Sequence, residues 1–170
     1  VTKILSSVGG KITIPTTSSY IEYCEDAWLL LRLHNINAAF AERETNSKYY
    51  FIDNGLLSLL LTDPTTTLLE NIVAVSLFCK SGNSNDGERV FFYKQNVEVD
   101  FYIPDDELAI QVSYSIEESD MTEKREVEAL KKLPKALSCK RRLIITYDEE
   151  KNIEDEYGVI EVIPCWKWLI

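Results

Sequence analysis

Apolar residues recur in short runs separated by polar or glycine-containing breaks, and the spacing inside each run predicts an element. Residues 2–8 predict a helix ended by Gly9-Gly10. Lys11-Ile12-Thr13-Ile14 is strand-like, and Pro15-Thr16-Thr17-Ser18-Ser19 opens a helix that runs to Asp26, because Pro fits a first turn and hydroxyls cap free N–H groups. Residues 28–33 form a strand or buried run, 41–48 a polar loop, and 48–53 a returning strand. Asn54-Gly55 reads as a break. A short helix over 56–61 follows, then Pro64-Thr65-Thr66-Thr67 and a helix over 68–80. Beyond a polar loop at 82–87 come three strands, 89–95, 97–104 and 108–116. An amphipathic helix over 122–137 places Val127, Leu130 and Leu133 on one stripe. Strands at 142–147 and 159–163 and the segment 166–169 close the chain, and the run Leu143-Ile144-Ile145 predicts burial on both faces of its strand.

This order predicts an α/β (α+β) fold. From residue 68 onward, a meander followed by a crossover helix gives a mixed sheet flanked by helices. Upstream, helix, turn, helix and hairpin follow the order of a winged helix. Two units are therefore expected: a partial winged-helix-like segment over 1–54 and an α/β domain over 55–170.

Charge and cysteine usage narrow the function. The net charge is −10, distributed as −1 over residues 1–54 and −9 over 55–170, which opposes nucleic-acid binding by the domain as a whole. Lys131, Lys132, Lys135, Lys140, Arg141 and Arg142 form a local basic cluster that reads as a solvated helix end or, more sharply, as a phosphate or partner patch. Cys24, Cys79, Cys139 and Cys165 lack zinc spacing and read as reduced, mostly core cysteines of a cytoplasmic protein. His34 is the single histidine and sits in an apolar stretch, a structural setting. No apolar run is long enough to cross a bilayer, and no signal peptide pattern is present. Gly9-Gly10-Lys11 lacks the spacing and hydroxyl of a phosphate loop.

The sharpest chemistry lies in two strands. Alternation in 97–104 turns Asp100 away from Val99 and Phe101, and in 108–115 it puts Gln111 and Ser113 on one face. Paired as a hairpin, the strands bring Asp100 near Gln111 and Ser113. Glu70 lies on the preceding helix, in what reads as its first turn, where a carboxylate also complements the helix dipole. An acid on a helix, an Asp on the second strand and an acid-x-Lys on the third resemble the restriction-endonuclease-like superfamily, whose motif is PD-(D/E)XK. The segments Tyr50–Leu57, Leu68–Asn71 and Glu98–Phe101 also resemble a domain of unknown function found C-terminal to AAA-type P-loop ATPase cores, chiefly in bacteria and archaea. The resemblance implies a winged-helix-like N-terminal part, a nuclease-like C-terminal part and an ATPase in sequence upstream, which would be this domain's partner.

Gln111 and Ser113 depart from the motif. The amide is a weaker Mg²⁺ ligand than an acid, and the hydroxyl removes the lysine cation. Lys94 is the candidate for a displaced ammonium. The expected site is therefore Glu70, Asp100, Gln111, Ser113 and Lys94, with Glu70 and Asp100 as the Mg²⁺ ligands if a metal binds. Three readings stay open: a catalytically degenerate accessory domain serving recognition or regulation, an active Mg²⁺-dependent nuclease on DNA or RNA, and a winged-helix nucleic-acid binder. Trp166 and Trp168 are candidate contacts for a protein partner.

Overall fold

The computed structural model describes residues 13–39, 46–59, 61, 65–81, 89–116 and 120–170, with the backbone alone over 120–124. Among the described residues eight strands form one mixed sheet in the order β2-β1-β3-β4-β5-β6-β8-β7. They are β1 (Leu30–Asn35), β2 (Ser47–Phe51), β3 (Phe91–Lys94), β4 (Glu98–Ile103), β5 (Leu108–Val112), β6 (Arg141–Thr146), β7 (Lys151–Asp155) and β8 (Gly158–Pro164). The α-helices among the described residues are α1 (Ile14–Asp26), α2 (Asn54–Ser58), α3 (Thr65–Lys80), α4 (Asp120–Lys132) and α5 (Cys165–Leu169). The meander β3-β4-β5 is antiparallel, α4 crosses over to β6 in parallel, and β6 and β8 are parallel neighbours. This is the mixed sheet flanked by helices that the element order predicts.

Two apolar layers hold the sheet. On one face, Leu69, Val73, Ala74, Leu77 and Phe78 of α3 pack on Leu33, Phe101, Ile110, Leu143 and Ile145. On the other, Val127, Leu130 and the following Leu133 pack on Tyr102, Ala109, Ile144 and Ile160. Leu143, Ile144 and Ile145 divide between the two layers, as a strand buried on both faces requires.

The β1–β2 hairpin is continuous with this sheet. β1 lies parallel to β3, with His34 opposite Phe91, and Leu31, Leu33 and Tyr50 join the α3-side core. The winged-helix expectation for 1–54 places this hairpin beside a DNA-reading helix. Among the described residues, α1 carries Glu22, Glu25 and Asp26 and no Lys or Arg. The expected helix at 2–8 lies outside the described residues. His34 Nδ1 lies 3.3 Å from Ser47 Oγ, its partner across the hairpin, a structural contact.

Local physics moves several boundaries. The run 11–14 is not a strand at its described end, because Thr13 caps α1: its Oγ1 accepts the Thr16 N–H at 3.3 Å. Asn54-Gly55 is a helix start rather than a break, since Asp53 Oδ1 accepts the Leu56 N–H at 3.0 Å. α3 begins at Thr65, so Glu70 falls in the second turn and dipole capping does not account for it. α4 gives way at Pro134 to a single 3₁₀ turn, Leu133–Lys135, because proline lacks an N–H donor. β7 is an additional strand: its Asp155 binds the Arg142 guanidinium through two contacts of 2.5 and 2.7 Å. Of the cysteines only Cys165 is buried, and Cys79 is exposed.

Candidate functional site

β4 carries one surplus residue. Phe91 pairs with Tyr102 and Tyr93 with Val99, so between these pairs one residue of β3, Phe92, faces two of β4, Asp100 and Phe101. The result is a β-bulge at Asp100-Phe101. Strict alternation would put Val99 and Phe101 on one face. Instead Val99 packs in the α4-side layer and Phe101 in the α3-side layer. Side chains replace the β4–β5 ladder at this point. The Asp100 N–H donates to Gln111 Oε1 at 2.8 Å, and the Val112 N–H donates to Asp100 Oδ2 at 3.0 Å.

The sheet opens here into a cleft of about 650 Å³ whose lining includes Lys48, Glu70, Glu98, Asp100, Gln111 and Glu126. Lys48, from β2, occupies the point where three acids converge. Its Nζ lies 2.9 Å from Asp100 Oδ1, 3.0 Å from Glu98 Oε1 and 3.4 Å from Glu70 Oε1. Tyr50, two residues on and therefore on the same face of β2, donates its hydroxyl to Glu70 Oε1 at 2.7 Å. Glu70 and Asp100 thus share one cation, the Lys48 ammonium.

Lys94 lies on the rim. Its side chain is 56% exposed and pairs with Glu98 at 2.6 Å, so it does not supply the central ammonium. Ser113 is also turned away: its Oγ donates to Ser115 O at 2.9 Å. Gln111 lies at the cleft with its hydrogen-bonding groups engaged. Its Oε1 accepts from Asp100 N, and its Nε2 donates to Glu98 O at 3.3 Å and to the Glu126 carboxylate.

Lys48, Tyr50, Glu98 and Glu126 are the site residues that sequence reasoning did not name. Glu126 was accessible in principle: it precedes Leu130 by four and Leu133 by seven, so a charge sits on the apolar stripe of α4 and is buried there. It also binds Arg125 at 3.0 Å. Lys48 gave no such signal, because its placement depends on the long-range pairing of β1 with β3.

Electrostatics follow from this crowding. Burial and the nearby Glu70 carboxylate push the Asp100 carboxyl up to about 6, against the opposing pull of Lys48. Burial raises the Tyr50 hydroxyl, and Glu70 raises it further. Burial alone would raise Glu98, but hydrogen bonds from Lys94 and Lys48 outweigh it and hold this carboxyl below its ordinary value. For Lys48, burial favours the neutral amine, yet Asp100 and Glu70 prevail and hold it as an ammonium.

These residues do not fit a resident Mg²⁺. The ion needs an open set of oxygen ligands, and the point shared by Glu70, Glu98 and Asp100 is filled by a tethered ammonium. No group of three or more His, Cys, Asp or Glu arranged for a metal occurs among the described residues.

Five of the six residues of the basic cluster are paired with acids. Lys132 pairs with Glu128, Lys135 with Glu156, Lys140 with Glu107, Arg141 with Glu161 and Arg142 with Asp155. Trp168 packs against the α3-side core with Lys80 Nζ 4.3 Å from its ring centroid, whereas Trp166 is 60% exposed. Among the described residues no helix is long and apolar enough to cross a membrane.

The chain is similar to a protein of Methanocaldococcus jannaschii described as uncharacterized (MJ1544), at 32% identity over 177 aligned residues. The alignment covers 99% of this chain and 39% of that protein, so the chain spans about two-fifths of the relative's length. No family model matches. No solved structure matches.

Proposed function

We propose that this chain is a catalytically degenerate, nuclease-type domain that serves recognition or regulation within a longer protein, as the C-terminal partner of an AAA-type P-loop ATPase core. The observation that carries the degenerate reading is Lys48, whose ammonium fills the point where Glu70, Glu98 and Asp100 meet. Metal-assisted phosphodiester cleavage needs a divalent ion at such a point to stabilise charge on the attacking and leaving oxygens. A tethered ammonium satisfies the acids without offering open coordination positions. Gln111 supports the same reading, because its amide is committed to Asp100, Glu98 and Glu126. The ATPase assignment draws on the sequence resemblance, and the greater length of the archaeal relative is compatible with it.

Incubation of the chain with DNA and RNA in Mg²⁺ or Mn²⁺ tests the first half. No cleavage above background is expected. Cutting that disappears in both Asp100→Ala and Glu70→Ala would overturn the proposal in favour of an active nuclease. In the longer protein, removal of this domain should alter the rate or control of ATP hydrolysis, and an unchanged ATPase would remove the regulatory role.

A further inference from the structure

A second crevice lies on the α3 side of the sheet, separate from the Lys48 cleft. Its position follows from topology. β5, β6 and β8 are mutually parallel neighbours, and the residues just beyond their carboxyl ends are Tyr114, Tyr147 and Trp166. The outer end of parallel strands is where open α/β sheets form ligand crevices. Here the crevice has a volume of about 540 Å³, within the usual range for small-molecule sites.

Its lining is largely aromatic and apolar, with one acid, Asp148. Tyr114 and Tyr147 stack with centroids 5.0 Å apart and planes 19° apart, and Tyr147 is still 55% exposed. Trp166, Ile72 and Leu169 add further exposed apolar surface. Asp148 lines the same crevice and makes no hydrogen bond or ion pair with the described residues. Of the other polar side chains in the lining, Asn54 is already committed to Leu68 O and Asn71, and Thr65 adds a neutral hydroxyl.

We propose that this crevice binds the flat base of a free nucleoside, stacked on Tyr147 and Trp166 with its N–H edge on Asp148. A carboxylate with two free oxygens matches two adjacent N–H donors, so guanine fits best, through its ring N–H and exocyclic amine. The charge of −9 over residues 55–170 disfavours a polyanionic strand and favours an uncharged ligand. The proposal does not depend on the degenerate-nuclease reading, since the two sites share no lining residue.

Equilibrium dialysis of the full chain against guanosine, inosine and uridine, with a short single-stranded oligonucleotide in parallel, tests it. Guanosine should bind saturably, and inosine, which lacks the exocyclic amine, about tenfold more weakly. Tyr147→Ala and Trp166→Ala should each weaken guanosine about tenfold. Asp148→Asn should abolish the preference for guanosine over inosine while leaving inosine binding in place. All three side chains are exposed, so circular dichroism should show the folded spectrum. The proposal is overturned by the absence of saturable nucleoside binding, by binding insensitive to Tyr147→Ala and Trp166→Ala, or by binding of the oligonucleotide alone.

Discussion

Replacing Lys48 by Met removes the ammonium and keeps most of the side-chain volume. Three carboxylates then share a cleft without their common counter-charge. At an effective dielectric of about 20, a unit pair at roughly 3 Å is worth about 5–6 kcal/mol before desolvation is counted. Releasing Lys48 from burial returns much of that. Stranding the partners of a buried ion costs about 3–5 kcal/mol in practice. Lys48 is 22% exposed, so the lower end applies, about 3 kcal/mol. For a chain of this size, that is a fall in Tm of roughly 6–12 °C. The same change leaves Glu70, Glu98 and Asp100 around an emptied point with uncompensated negative charge, which a hard cation from solution would neutralise. The variant should therefore regain stability with Mg²⁺ or Ca²⁺, by about 1.4 kcal/mol at ten times the Kd, whereas the parent should not respond. Differential scanning calorimetry across an ion titration measures both effects. If Lys48→Met loses less than about 1 kcal/mol, or melts identically with and without the ions, Lys48 is not the counter-charge of the cluster and the degenerate-site reading loses its support.

Gln111→Glu, which restores the acid of the nuclease motif, should destabilise the fold by about 3 kcal/mol in urea melts, because it loses the donor to Glu126 and sets two buried carboxylates together. The contribution of Asp100 to the stability of the folded state should grow as pH falls from 7 towards 4. Asp100 takes up its proton near 6 when folded but near 3.9 when unfolded, and the gain should be absent in Asp100→Asn when Tm is followed against pH. Asp155 behaves oppositely: the Arg142 hydrogen bonds hold its carboxyl below the ordinary value, so its contribution is present at neutral pH and is lost as pH falls through the folded value. Asp155→Ala leaves a nearly buried guanidinium unpaired, which should cost about 3–5 kcal/mol in the same melts and loosen β7 in hydrogen exchange.

The layered fold was legible because its signals are local. Alternation, the Leu143-Ile144-Ile145 run and the stripe on α4 each report burial from neighbouring residues alone. β7 was missed because its sequence, Lys-Asn-Ile-Glu-Asp, is charged. It is an edge strand with half-exposed residues, and its anchor is the distant Arg142. Within the site, Glu70, Asp100 and Gln111 were found because helix and strand order places them together. Lys94 was the candidate ammonium because it ends the strand just before the one that carries Asp100. Lys48 reaches the site only through β1–β3 pairing, which joins residues that are 57 apart (His34 and Phe91) and leaves no local trace. Ser113 failed for a different reason: it lies past the end of β5, where period-two alternation no longer governs direction.

The bulge in β4 has a consequence for how this domain could change over time. Without Asp100, the remaining residues Val99, Phe101, Tyr102 and Ile103 would alternate between the two layers in the order that a regular strand demands. The acid at the heart of the cleft is thus the residue the sheet can do without. Architecture and reactive centre are separable at a single codon, so a lineage could discard or restore the centre without redesigning either core.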